Sequence, residues 1–111
     1  MIVPLTREIF KSFEGYHPSV TMKGLALVQN NIPVAMLAIS VIDGSNFIVC
    51  NVKPEASKKM LIVGWEIFKD QFMTTGTSYY AIQDDEIATS KGFIAHFGFR
   101  HLKENIYIFR R

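Results

Sequence analysis

Two residue pairs, Asn30-Asn31 and Asp43-Gly44, constrain this chain more than any other feature. Both pairs accept the positive φ that a two-residue hairpin turn demands, and each stands between β-rich runs. The runs are Gly24 to Gln29, Pro33 to Ile42 and Asn46 to Val52, which predicts an antiparallel meander of three strands. Everything else must be arranged around that sheet.

Upstream, Ile2-Val3-Pro4-Leu5 reads as a short edge strand, since proline is tolerated at a sheet edge. Thr6 can cap a helix whose apolar residues Ile9, Phe10 and Phe13 share one face before Gly15 ends it, and Tyr16 to Thr21 is a connector. Downstream, Pro54 and Ser57 open a long helix from about Ser57 to Thr74. In it Leu61, Gly64, Trp65, Phe68 and Phe72 recur at helical spacing, and Gly76 is expected to stop it. Ser78 to Gln83 is a further strand, and Asp84-Asp85-Glu86 suits the start of a helix ending at Gly98. Phe99 to Leu102 and Ile106 to Arg110 close the chain around Lys103-Glu104-Asn105.

The order β-α-β-β-β-α-β-α-β, with its last strand split, has a topological consequence. Hairpins pair antiparallel, whereas a strand-helix-strand crossover returns parallel, so the sheet must be mixed and mainly antiparallel, with helices on both faces. The predicted class is α+β, a three-layer αβα arrangement. Parallel neighbours whose ends diverge leave a crevice, and the start of the long helix would offer unpaired N–H groups to an anion beside it.

Composition sets the outer limits. At 111 residues one domain spanning 1–111 is expected, and 49% apolar against 20% charged residues suffices for a buried core. The longest apolar run, Ile32 to Ile42, is interrupted by Pro33 and Ser40 and falls short of a membrane span. Pro4, Arg7 and Glu8 interrupt any signal-peptide core, and the lone Cys50 cannot form an internal disulfide, so a cytoplasmic setting is expected. A net charge of +2, with only Lys58-Lys59 and Arg110-Arg111 adjacent and no aromatics interleaved with those lysines, argues against nucleic acid.

Two local signatures join the element order. Val52-Lys53-Pro54-Glu55 stands between the third meander strand and the long helix, and His96-Phe97-Gly98-Phe99-Arg100 leads into the closing strands. With the element order they resemble the GNAT superfamily of acyl-CoA N-acyltransferases. The resemblance implies an acetyl-CoA or coenzyme A site. There the strand Phe47 to Val52, including Cys50 and Val52, aligns the acyl arm, and Ser57, Lys58, Lys59, Met60 and Leu61 receive the phosphates.

The family's loop normally carries glycines at alternate positions. Here Lys58, Met60 and Ile62 occupy them, which is a degraded pyrophosphate loop. Lys58 and Lys59 either hold phosphates by charge in place of the glycine cradle or simply face solvent. The family's usual acid, a tyrosine, is replaced by Ile94, and no carboxylate stands between Phe47 and Val52. Either Tyr79 or Tyr80, on opposite faces of one strand, could replace that acid, and Asp84, Asp85 and Glu86 could position an amine or merely cap a helix.

Cys50 could be imagined as a nucleophile but reads first as a small core residue, and His17, His96 and His101 lack metal-ligand spacing. The function expected is therefore N-acetyl transfer from acetyl-CoA. The alternative is a non-catalytic interaction module, similar to small GNAT-like proteins of tailed bacteriophages and housed in a particle assembled in the cytoplasm. Phe10, Phe13, Phe93, Phe97 and Phe99 are more than a small domain hides easily, so some of them would then form an exposed aromatic surface for a protein partner or a second copy.

Overall fold

A computed structural model describes residues 1–16, 22–82 and 97–111. The elements are β1 (Ile2–Pro4), α1 (Arg7–Glu14), β2 (Met22–Gln29), β3 (Ile32–Ile42), β4 (Ser45–Val52), α2 (Lys58–Phe72), β5 (Ser78–Ile82), β6 (Arg100–Lys103) and β7 (Ile106–Arg110). The helix expected over 84–96 lies outside the described residues, as do His17, Asp84, Asp85, Glu86, Phe93, Ile94 and His96.

The strands form one seven-stranded sheet in the order β1-β2-β3-β4-β5-β7-β6. Neighbours pair antiparallel except β4 and β5, which run parallel. Both meander turns have the predicted chemistry. Asn30 and Asn31 have φ of 51° and 65°, and Asp43 and Gly44 have 50° and 78°, the double positive φ of a hairpin whose twist matches its strands.

Each helix is fixed locally at its start. The Thr6 Oγ1 accepts the Ile9 N–H at 3.2 Å, and the Ser57 Oγ accepts the Met60 N–H at 3.3 Å. Gly15, in the left-handed region at φ 82°, stops α1 as expected. Gly76 does not stop α2. The helix ends at Phe72 and the chain turns extended at Met73, because the Thr74 N–H donates to the buried Tyr79 hydroxyl at 2.7 Å and Met73 enters the core. Gly76 instead donates its N–H to the Arg111 carbonyl at 2.8 Å.

Val34 through Ala38 are consecutive and all buried. Strand side chains alternate between faces, so both sides of β3 must be covered. On one side Trp65 and Phe68 of α2 pack with Leu25, Leu37 and Ile48, while Leu61 packs with Leu27 and Val52. On the other, α1 lies against β3 with Phe10 only 2% exposed.

Of the phenylalanines expected to supply an exposed aromatic surface, Phe10, Phe97 and Phe99 are core residues and Phe93 lies outside the described residues. Phe97 and Phe99 are buried at 6% and 8% exposure, and Phe97 stacks on the Trp65 indole with centroids 4.6 Å apart. A large flat ring on α2 attracts them inward, because burying each phenyl is favourable by about 1.5–3 kcal/mol. Phe13 is half-buried with the Lys53 ammonium 5.2 Å from its ring centre. Among the described residues, no helix is long and apolar enough to cross a membrane.

Candidate functional site

Among the described residues, strands β4 and β5 are in register at Phe47↔Tyr80 and Ile48↔Ala81. Beyond that point β4 continues through Val49–Val52, still paired to β3 over its whole length, whereas β5 ends at Ile82. Among the described residues the parallel pair makes no registered pair past Ile48↔Ala81, toward the carboxyl ends of its strands, where open sheets place ligands.

The phase of the β3–β4 ladder decides which backbone groups face this candidate site. The Lys53 N–H donates to the Val34 carbonyl at 2.8 Å, and hydrogen-bonded residues alternate along an antiparallel strand. Asn51, Val49 and Phe47 thus turn their N–H and C=O groups to β3. Ile48 and Cys50 turn theirs toward the β5 side, and Cys50 lies past the last registered pair.

The Cys50 side chain points the other way. Half-buried as a residue, it packs against both clusters of the α2-side core, and desolvation of its sulfur there pushes the thiol above its ordinary range. An uncharged thiol in the core is a packing residue, and its contribution to the candidate site is backbone alone. Val52 and Leu61 are likewise core side chains at 8% and 9% exposure.

At the head of the candidate site, the segment from Lys53 to Ser57 carries the chain from β4 into α2, with the Ala56 N–H donating to the Lys53 carbonyl at 3.1 Å. This turn is held from outside by Gln29 at the end of β2. The Gln29 Oε1 accepts the Ser57 N–H at 2.7 Å, and its Nε2 donates to the Glu55 carbonyl at 3.1 Å. Sequence reasoning missed Gln29, whose one local signal is its place just before a tight turn.

The first N–H groups of a helix have no acceptor inside it. In α2 the Met60 N–H is taken by the Ser57 hydroxyl, and the Leu61 N–H by the Ser57 carbonyl at 3.0 Å. The Lys58 and Lys59 N–H groups remain, together with two exposed ammonium groups. Met60 packs partly against the core through its side chain. Of the residues expected to hold phosphates, Ser57, Lys58 and Lys59 assemble into a positive helix start, while Met60 and Leu61 spend their N–H groups within the cap.

The two adjacent tyrosines separate as alternation requires. Tyr79 is core at 3% exposure, and Tyr80 lies on the opposite face, half-buried, with its ring 5.8 Å from that of Phe47. On this face β4 presents Phe47, Val49 and Asn51, with Lys53 beyond the strand's end.

No protein-family model matches the sequence, and no curated protein matches it either. Among solved structures the chain is similar to the N-acetyltransferase PseH of Campylobacter jejuni. Identity is 14% and the TM-score 0.56, over 97% of this chain and 94% of that one. PseH in complex with acetyl coenzyme A gives 15% identity and the same TM-score of 0.56, over 97% and 96% of the two chains. At such identity the likeness speaks to architecture alone, and the fold of this chain is GNAT-like.

Proposed function

We propose that this chain is an acetyltransferase-like, acyl-CoA-dependent N-acyltransferase whose pyrophosphate loop has been reduced. The observation that carries this reading is the end of registered β4–β5 pairing, among the described residues, at Ile48↔Ala81 beside a positively charged helix start. A thioester arm needs a strand edge to align it, and its phosphates need N–H groups and positive charge.

The residues present fit a coenzyme A phosphate by charge. Lys58 and Lys59 contribute two N–H groups and two ammoniums, where a glycine cradle would offer more N–H groups and a closer approach. The Cys50 backbone orients the arm from one side. When bound, acetyl-CoA would supply the acyl group: an acceptor amine would form the C–N bond as the C–S bond breaks, with the amine proton passing through water to the departing thiolate.

Positioning is the main contribution of this chain, because the described part of β4 carries no carboxylate and its thiol is enclosed. Holding an amine against a thioester supplies much of the rate without a side-chain acid. Tyr80 is the described hydroxyl best placed to assist, one strand from Phe47 and facing away from the α2-side core.

Calorimetric titration with acetyl-CoA and coenzyme A tests the reading. Micromolar binding is expected, and Lys58→Ala/Lys59→Ala should weaken it at least about tenfold, since each charge-assisted phosphate contact contributes about 1 kcal/mol or more. Absence of binding at millimolar ligand overturns the reading and leaves a module that works through macromolecular contacts.

A further inference from the structure

Among the described residues, the sheet face turned away from α2 is covered by α1 at β3 and carries no helix across its other half. Register places Phe47, Tyr80, Ile108 and Arg100 in one row across β4, β5, β7 and β6. Arg110 shares the face, opposite Ser78. Lys103 joins it as well, because an irregularity between His101 and Lys103 pairs Lys103 with Ile106.

Arg100, Lys103 and Arg110 are all exposed. Among the described residues the ion pairs are Lys69–Glu66 and Arg111–Asp70, so none of these three cations is neutralised there. Arg111 shows the alternation: it turns to the α2 side and meets Asp70 at 3.0 Å, while Arg110 turns to the other face. Between the cations lies an apolar floor of half-buried Tyr80, Ile106 and Ile108, with Ile82 at 57% exposure.

Charges on an edge strand commonly guard it against pairing with other chains. That accounts for Arg100 and Lys103 on β6. It does not account for Arg110, which belongs to an interior strand, nor for the shared face of all three.

We propose that this face binds an extended acidic polypeptide segment. Its carboxylates meet Arg100, Lys103 and Arg110, and its apolar side chains rest on the Tyr80–Ile108 floor. Charge complementarity fixes the sign of the ligand. Shape fixes its form: neighbouring strands are about 4.8 Å apart, so the row from Phe47 to Arg100 spans about 14 Å. A flat surface of that width suits an extended chain, whereas small molecules favour concave sites that enclose them. Phe47 and Tyr80 border the site proposed above, whereas Arg100, Lys103, Arg110, Ile82, Ile106 and Ile108 take no part in it, so the charge variants below separate the two readings.

Fluorescence anisotropy with a labelled peptide of alternating glutamate and leucine, titrated with the whole chain at physiological salt, tests it. Saturable binding is expected, weakened at least about tenfold by Arg100→Ser/Lys103→Ser/Arg110→Ser, with each exposed ion pair contributing up to about 1 kcal/mol. Arg7→Ser/Lys11→Ser/Lys23→Ser removes as much charge elsewhere and should leave binding near wild type. Ile82→Ser should weaken it as well, by removing exposed floor without touching charge. No binding by the wild type, equal binding by the first triple variant, or equal loss in the second overturns the proposal. So does displacement of the peptide by a single-stranded oligonucleotide at lower concentration, which would assign the face to nucleic acid.

Discussion

The Ser57 backbone N–H donates to the Gln29 side-chain oxygen at 2.7 Å, tying the start of α2 to the end of β2 across 28 residues of sequence. With the second bond to the Glu55 carbonyl, one amide side chain fixes the turn between β4 and α2. Gln29→Ala should therefore cost about 1–2 kcal/mol in chemical denaturation, the sum of two modest hydrogen bonds. Gln29→Glu keeps an acceptor for Ser57 but loses the donor to Glu55 and sets a carboxylate beside the helix start. Its acetyl-CoA affinity should fall further than its stability does, and equal falls would assign Gln29 to folding alone.

Cys50 makes a pH prediction with a definite sign. Enclosure raises its pKa in the folded state, so the native protein keeps the thiol proton that the unfolded chain releases above roughly pH 8.5. The native state then binds more protons, and this group's contribution to stability is constant below that pH and declines above it, by at most about 1.4 kcal/mol per pH unit. Cys50→Ala should flatten the alkaline limb of a denaturation-versus-pH profile. Alkylation of native protein by iodoacetamide at pH 8 should be slow, and should accelerate only in denaturant.

Two glycines are predicted to respond differently to alanine. A Cβ on Gly24 would fall on the Leu37 carbonyl oxygen and lie 2.7 Å from the Ala38 Cα, so backbone would have to move. Gly24→Ala should cost at least about 3 kcal/mol or prevent folding. A Cβ on Gly64 meets the Leu27 Cδ2 at 3.1 Å. There the helix gains up to about 1 kcal/mol of propensity against crowding of a Leu27 that is only 2% exposed. A net loss near about 1 kcal/mol is expected by thermal unfolding.

The Trp65–Phe97 stack, with rings inclined by 10°, joins α2 to the chain segment entering β6. Phe97→Ala should destabilise by about 3 kcal/mol, and Phe97→Leu by less than half of that. A loss in the alanine variant below about 1 kcal/mol in urea denaturation would mean that the site collapses around the missing ring.

The sequence by itself determined those elements whose causes are local. Asn30-Asn31 and Asp43-Gly44 tolerate positive φ, so the meander was legible. Thr6 and Ser57 supply cap oxygens, and their helices start where expected. The parallel return of β5 followed from the crossover rule, and with it the mixed sheet. The glycine-free stretch Lys58–Ile62 was equally plain as residue identity.

Only the tertiary structure decided where the pieces meet. The register of β4 on β5 depends on how each strand is held by its other neighbour, which no window of sequence contains. Gln29 reaches Ser57 because a β-hairpin and a crossover bring distant residues together. The inward turn of Phe97 and Phe99 depended on Trp65 lying opposite them, and the end of α2 on a hydroxyl from β5. Alternation along β6 would have put Arg100 and Lys103 on opposite faces. A single irregularity in the ladder put them on the same one, because the phase of a strand is set by its partner's register.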